Sequence, residues 1–272
     1  MLRSDAAESG KVTPPRYTTP AELDEESGSA FVAREGTGDP VLFVHGSIMG
    51  AATWAGQRLL AERWTTLILE RRGFGRSPPT DGEDFETDAR DIAEALGDGA
   101  HLVAHSYGGL GALLAAAARP EAVHSLTLVE PVAYSAALDH PAVQSSVIEL
   151  IDYYTSGPQQ PRPFLEGFLP FVGISAKLPD PLLPPMEHAT RLLMNARPPF
   201  VARLALDDLA RAGLRTLVIS GAHLDVFEAI CDRLAQRLGG ERAVIRGAQH
   251  AVPGMANAFN ERLERFLSAG GR

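Results

Sequence analysis

The sequence predicts an α/β fold, in which helices cover both faces of a mostly parallel, twisted sheet. Short apolar runs such as residues 41–44 and 126–129 lack polar alternation, which is typical of strands buried on both faces. Helix-like segments separate these runs, which favours right-handed crossovers between parallel strands. The alternation is interrupted once, by about 80 residues, which is too long for a loop.

The elements follow one another in order from residue 31. The predicted strands are residues 31–33, 41–44, 66–69, 101–104, 126–129, 217–220 and 243–246. The predicted helices are residues 51–64, 85–96, 108–118, 226–238 and 255–267. Residues 1–27 are polar and contain prolines, so we expect an extended or mobile segment there.

Residues 131–213 form the interruption. The segment is rich in proline and contains short apolar pieces, so we expect a structure of its own. Ligands of open α/β sheets bind beyond the carboxyl ends of the strands, and we interpret the segment as a helical cap over that edge. Residues 28–130 and 214–272 are then expected to form the core.

The amino-acid composition limits which kinds of binding partner we expect. Hydrophobic residues make up 45% and charged residues 22%, which is typical of globular proteins, and the formal net charge is −9. No Lys/Arg cluster offers a phosphate-binding face, so nucleic acid is not an expected partner. The single cysteine, Cys231, cannot form an internal disulfide and is expected to be a buried thiol. With no membrane span and no signal-peptide pattern, we expect a cytoplasmic protein without a membrane partner, and a homodimer is left open.

A candidate nucleophile lies in Ala104-His105-Ser106-Tyr107-Gly108, where a predicted strand turns directly into a predicted helix. Such a turn holds its central side chain in a strained conformation clear of the sheet, and small residues on either side let strand and helix approach. Ser106 is therefore the candidate nucleophile, with Ala104 replacing the first glycine of G-x-S-x-G. The alternative is a serine N-cap of an ordinary helix.

A candidate oxyanion hole lies at the same edge of the sheet. His45-Gly46-Ser47 ends an upstream strand, and we expect the backbone amides of Ser47 and Tyr107 to bind a developing negative charge. His45 itself is interpreted as a turn-packing residue without a role in proton transfer.

The candidate general base is His250, which follows the last predicted strand. Among the eight histidines it has the position and chain order expected of a base. The side chain of His105 is expected to point away from Ser106. Other histidines interpreted as surface, strand or cap residues are His101, His124, His140 and His188.

Taken together, these motifs resemble the α/β-hydrolase superfamily. The resemblance rests on His45-Gly46, the R-G-x-G-x-S segment at residues 72–77, the turn at Ser106 and the late G-x-x-H loop at His250. It covers about residues 30–270, apart from the cap. The resemblance implies a Ser–acid–His triad with no metal ion and no organic cofactor.

The triad acid has two candidates. Most of the superfamily places it three residues past the glycine that matches Gly221, where this chain has Leu224. Asp225 lies one residue further on, and its alternative role is the N-cap of the next helix. Some subfamilies, one of which resembles resorcylic-lactone hydrolases, supply a glutamate from the strand after the nucleophile helix, which matches Glu130 here. We take Glu130 as the acid, with Asp225 as its rival; the alternative for Glu130 is a solvated carboxylate.

The resemblance implies hydrolysis of an ester or lactone through an acyl-enzyme on Ser106. Apolar residues of the predicted cap favour a small apolar substrate, although many of them must pack against the core. Three alternatives stay open: hydrolysis of carbon–carbon bonds in ring-cleavage products, cofactor-free perhydrolysis, and a ligand receptor without turnover.

Overall fold

A computed structural model of the chain describes residues 28–269, so the segment predicted to be extended or mobile, residues 1–27, lies outside the described residues. Within the described part, one sheet contains seven strands. They are β1 (Val32–Glu35), β2 (Pro40–Val44), β3 (Thr65–Leu69), β4 (Ala100–His105), β5 (Val123–Val129), β6 (Thr216–Ser220) and β7 (Glu241–Val244). Their order is β1-β3-β2-β4-β5-β6-β7; β1 runs antiparallel to β3, and all other neighbours are parallel. The predicted α/β class is confirmed.

Helices connect the strands. They are α1 (Phe85–Ala95), α2 (Gly108–Ala118), α3 (Pro141–Ser156), α4 (Pro161–Phe168), α5 (Pro184–Met194), α6 (Leu206–Ala212), α7 (Asp225–Leu238) and α8 (Ala256–Ser268). The predicted helix at residues 51–64 is instead a kinked 3₁₀ helix, Gly50–Glu62. The kink occurs at Trp54, whose fully buried ring packs against Phe43 of β2.

The central strands are buried on both faces, as their unbroken apolar runs predict. Along β2, the side chains of Leu42 and Val44 belong to one hydrophobic cluster. Val41 and Phe43 belong to a second cluster, because successive side chains of a strand point to opposite faces. Cys231 of α7 is fully buried in the first cluster, as expected.

The parallel register aligns the carboxyl ends of the central strands. His105, the last residue of β4, pairs with Val129, the last residue of β5. Val129 in turn pairs with Ile219 of β6. The residues that immediately follow these strands therefore meet at one edge of the sheet.

Proline shapes the segment between β5 and β6. Pro141, Pro161 and Pro184 are the first residues of α3, α4 and α5, a position where proline is preorganised for the helix and its missing N–H costs nothing. Helix α4 packs against α5, whereas α6 packs against α2 and α7 of the sheet layers. None of the described helices is long and apolar enough to cross a bilayer.

Candidate active site

Ser106 lies in the tight turn between β4 and α2, with a left-handed backbone (φ 53°). The close approach behind it explains the glycine two residues later, because a Cβ at Gly108 would lie 2.4 Å from the carbonyl oxygen of His45. Ala104, in place of the usual first glycine, is fully buried in β4. The sequence thus folds into the strained turn that the pattern predicts.

His250 lies in the loop after β7 and contacts the serine directly. Its Nε2 is 2.8 Å from Ser106 Oγ, and the residue is 5% exposed. Burial, reinforced by the nearby charge of His223, lowers the pKa of His250 to about 3. A neutral imidazole of this kind has a free lone pair at Nε2 if its proton is on Nδ1.

Glu130 immediately follows β5, and its carboxylate fixes that tautomer. Its Oε2 lies 3.2 Å from His250 Nδ1, so an ionised carboxylate accepts the Nδ1–H. Oε1 accepts a 2.5 Å hydrogen bond from the Gly221 N–H. The residue is fully buried, so the alternative of a solvated strand-end carboxylate is wrong. Burial raises the pKa of Glu130 to about 7, and the Gly221 N–H opposes this rise.

Asp225, the rival acid, lies elsewhere. It is the first residue of α7 and is exposed, whereas the N-cap position expected for it is occupied by Leu224. An acidic side chain in the first turn stabilises a helix through the macrodipole. The geometry therefore brings Glu130, rather than Asp225, to His250.

Strained backbone is concentrated at this edge of the sheet. Among residues 28–269, the non-glycine residues with positive φ are Ile48, Ser106, Glu130, Ala222 and Gln249. Two of these are candidate triad members, and each of the others directly adjoins a residue at the site. Such conformations cost about 1–3 kcal/mol each and persist where the surrounding structure imposes them, which is common at functional sites.

The two residues expected to supply the oxyanion hole, Ser47 and Tyr107, line the same cavity as Ser106. The turn that carries Ser47 lies against the serine, since a Cβ at Gly46 would be 2.7 Å from Ser106 Cβ. Ser47 Oγ donates a 2.8 Å hydrogen bond to Glu83 Oε2.

Behind this turn lies a buried group of charges. The guanidinium of Arg71 contacts Glu83 at 2.5 Å and Asp88 at 2.9 Å, with each side chain at most 4% exposed. His45 Nε2 accepts the backbone N–H of Arg71 at 3.0 Å, and burial lowers the His45 pKa to about 3. This network therefore connects the turn that follows β2 with the turn that follows β3. The contacts of His45 are those of a turn-packing residue.

His105 contributes more than the sequence indicates. Its ring is buried and packs against the His250 ring, with centroids 4.9 Å apart. Its Nε2–H donates a 2.9 Å hydrogen bond to the carbonyl oxygen of His250. The ring of His105 therefore lies against His250, the candidate general base, and so belongs to the site.

His223 was not singled out by the sequence pattern. Its Nδ1 lies 3.8 Å from Glu130 Oε1, and its Nε2 lies 3.2 Å from the carbonyl oxygen of Val172. The signal that could have found it is its place just past the carboxyl end of β6, two residues after Gly221.

A cavity of about 350 Å³ opens onto Ser106. Much of its wall comes from the segment between β5 and β6, and none of its described lining residues is Asp, Glu, Lys or Arg. The contributors from that segment include Tyr154, Leu165, Phe168, Val172, Met186 and Leu193. An apolar wall with a few polar groups at one end is typical of a small-molecule site.

Among the described residues, one cluster has the side-chain types that bind metal ions. Glu130, His223 and His250 bring one ligand atom each to within 4.8 Å of one another. Both oxygens of Glu130 already accept hydrogen bonds, one of them from His250. We therefore interpret the group as a hydrogen-bonded network. The expectation that no metal or cofactor is needed stays a prediction.

Comparison with known proteins gives a family and several relatives. A model described as the alpha/beta hydrolase family matches residues 41–264. Over 104 residues the chain is 36% identical to the pimeloyl-(acyl-carrier protein) methyl ester esterase of Aeromonas salmonicida, covering 37% of this chain and 41% of that protein. The match thus spans about two-fifths of the length of such curated relatives.

Solved structures share the fold at low identity. Carboxylesterase CesB from Bacillus subtilis superposes with a TM-score of 0.64 at 18% identity, covering 92% of this chain and 91% of that one. Est816, described as an N-acyl homoserine lactone degrading enzyme, superposes with a TM-score of 0.65 at 23% identity, covering 87% and 96%.

Proposed function

The chain belongs to the alpha/beta hydrolase family, and from this premise we propose that it is a serine hydrolase of small, neutral, apolar esters or lactones. The observation that carries the proposal is the hydrogen-bond chain from Ser106 Oγ through both nitrogens of His250 to Glu130. A nucleophile, its base and an orienting acid in this order are the requirements of acyl transfer to water.

Acylation follows from this chain of bonds. As Ser106 Oγ forms its bond to the substrate carbonyl carbon, its proton passes to His250 Nε2. Glu130 holds the imidazole tautomer and stabilises the imidazolium without taking the proton itself. The tetrahedral oxyanion is bound by the amides of Ser47 and Tyr107. His250 then gives its proton to the leaving alkoxide as the carbon–oxygen bond breaks.

Deacylation repeats these steps with water. His250 removes a proton from water as the water oxygen attacks the acyl carbon. Collapse of the second tetrahedral intermediate breaks the bond to Ser106 Oγ, which recovers the proton from His250. The products are a carboxylic acid and an alcohol, or one hydroxy acid when the substrate is a lactone.

The wall of the cavity supports the choice of substrate. A charged acyl group would lose its hydration there without meeting an oppositely charged side chain, which is costly. The volume of about 350 Å³ suits a small ligand. One structural neighbour is described as an N-acyl homoserine lactone degrading enzyme, which supports the lactone alternative.

The segment after β5 serves as a cap in this proposal. Helices α3 to α5 and the turns between them contribute side chains to the cavity wall, including Leu150, Leu165 and Leu193. Helix α6 packs on the core helices α2 and α7, and α3 also packs on α7. The proposed cap keeps the bounds 131–213 and rests on the core through both helices.

Labelling and turnover test the proposal together. Wild type is expected to react with a fluorophosphonate probe and to hydrolyse p-nitrophenyl butyrate, whereas Ser106→Ala should do neither. A matched control is Ser145→Ala, since Ser145 lines a separate cleft. Wild type that binds apolar esters but neither labels nor turns them over would favour the receptor alternative. Cleavage only of ring-opened diketones, or only peroxide-dependent activity, would favour the other two alternatives.

A further inference from the structure

His223 lies between the cap and the candidate acid, and the proposed triad does not use it. We propose that His223 is a positioning residue, which ties the cap turn Leu169–Val172 to the carboxylate of Glu130 through the two nitrogens of its ring. The inference rests on the proposed function, because it assigns a role to Glu130. Its basis is the set of contacts around the two nitrogens of the ring.

The hydrogen-bond partners determine where the proton of neutral His223 lies. The carbonyl oxygen of Val172 only accepts, so Nε2, 3.2 Å away, must carry the hydrogen. Nδ1 is then an unprotonated nitrogen, buried and without a hydrogen-bond partner among the described residues. It faces Glu130 Oε1 at 3.8 Å. A second proton at Nδ1 would turn this contact into a charge-assisted hydrogen bond after a small movement.

The surroundings hold the ring in this place. Its side chain is 9% exposed and stacks on Phe227, with centroids 5.4 Å apart and planes inclined by 22°. Gly173, next to the cap turn, has φ 64°, and a Cβ there would lie 2.3 Å from the His223 ring. Ala222, with φ 53°, turns the backbone immediately before it. The cap, helix α7 and the loop after β6 therefore each contribute to holding this ring in place.

The other ionisable groups near His223 and Glu130 contact different partners, stay neutral or line a solvent-facing cleft. From β7, Arg242 contacts Glu228 and Asp232 of α7 at 2.6 and 2.7 Å. The buried thiol of Cys231 has a pKa raised by burial and therefore stays neutral. The titratable groups that share the cleft of His223 are Glu149 and Tyr153 of α3 and Asp225 of α7. On the loop after β7, His250 already bonds Glu130 through Nδ1.

A positive charge on His223 would act on Glu130 and on His250 in the same direction. The active form needs an ionised Glu130 and a neutral His250. A positive charge on His223 lowers the pKa of both groups, and so favours the active form of each as pH falls. Removing Nδ1, the atom that would carry this charge, should therefore move the acidic limb of the kcat/KM profile to higher pH.

Two substitutions separate the two contacts. The amide of His223→Gln can replace the Nε2–H to Val172 but cannot take up a proton, whereas His223→Phe retains only the stack on Phe227. We expect the acidic limb of kcat/KM for His223→Gln to rise by about half a unit to one unit, with Tm close to that of wild type. His223→Phe should show the same shift together with a raised KM, because Val172 lines the cavity.

His124→Gln is the matched control, since His124 is exposed near the amino end of β5, at the opposite end of the strand from Glu130. Its pH profile should match that of wild type. A His223→Gln profile that superimposes on wild type, or an equal shift in His124→Gln, overturns the proposal. Turnover that survives Ser106→Ala would instead reject the proposed function, so the two failures are distinguishable.

Discussion

At the scale of single residues, the proposed chemistry depends on how a carboxylate reaches His250 from the end of β5. Glu130 follows the strand with φ 46°, and its backbone N–H donates to the carbonyl oxygen of Ile219 at 2.9 Å. This turn leads the side chain under the imidazole, where Gly221 and His250 satisfy its two oxygens. Glu130 is fully buried, so hydrogen bonds from the protein must stabilise the charge of its carboxylate.

Substitution of the two acid candidates should give opposite results. Glu130→Gln removes the charge that holds the His250 tautomer, and we expect kcat to fall by about 10³- to 10⁴-fold. Asp225→Asn, at an exposed helix end, should leave kcat within about twofold of wild type. Steady-state hydrolysis of a p-nitrophenyl ester measures both. A crippled Asp225→Asn with an active Glu130→Gln would transfer the role of acid to Asp225.

The pH dependence of wild type should reflect the same carboxylate. Burial raises the Glu130 pKa to about 7, so the carboxylate becomes protonated as pH falls through neutrality. The His250 pKa of about 3 keeps the base neutral over that range. We therefore expect kcat/KM to be maximal above about pH 7 and to fall about tenfold per unit below it. A profile that stays flat down to pH 5 would contradict this assignment.

At the residue scale, the sequence predicts Ser106 and His250 because each lies in a turn of recognisable pattern. The acid is less defined by the sequence, since candidate carboxylates follow two strand ends and the fold brings Glu130 alone of the two to His250. His105 and His223 escape such reasoning for a further reason. Their roles depend on ring orientation across a tight turn, and spacing along the chain does not determine that orientation.

At the scale of elements, the site is built where strand, turn and helix approach unusually closely. The β4–α2 turn passes within van der Waals range of the turn after β2, and glycines at positions 46 and 108 make this approach feasible. Parallel pairing then places the ends of β5 and β6 beside it.

A methyl group at the closest of these contacts should disturb the nucleophile turn. In Gly108→Ala the new Cβ would lie 2.4 Å from the carbonyl oxygen of His45, and backbone rather than a flexible side chain must move. We expect the free energy of unfolding to fall by about 1–3 kcal/mol and kcat to fall with it. Gly254→Ala is the control, because a Cβ there meets nothing within 4 Å. Equal denaturant midpoints for the two variants would argue against the tight turn.

Much of the element order is predictable because buried strands have a strong apolar signature. The central strands extend one to three residues beyond their predicted ends, whereas β7 begins and ends two residues earlier than predicted. The helix expected after β2 became 3₁₀ where Trp54 packs into the core. The packing of α6 on α2 and α7 depends on long-range contacts that no local pattern contains.

At the scale of the whole molecule, specificity should come from the charge of the cavity as much as from its size. No described lining residue is Asp, Glu, Lys or Arg. A substrate whose acyl chain ends in a carboxylate would therefore be desolvated without compensation. The proposed selection against charge would then come from side chains of the segment between β5 and β6 together with those of the sheet edge.

Paired substrates test this selection. We expect kcat/KM for p-nitrophenyl pentanoate to exceed that for the mono-p-nitrophenyl ester of glutaric acid by about 100-fold or more, which is about 2.7 kcal/mol. Met186→Lys, which introduces a cation into the cavity wall, should reduce this ratio. Equal rates for the two esters in wild type would mean that the acyl chain does not enter the cavity.

The central claim is that substrate becomes covalently attached to Ser106, and rapid-quench mass spectrometry measures this most directly. Wild type mixed with excess p-nitrophenyl butyrate should gain one butyryl group per chain during the burst, and peptide mapping should locate it on Ser106. Ser106→Ala should gain none. An adduct on another residue, or a burst of p-nitrophenol in Ser106→Ala equal to that of wild type, would contradict the account.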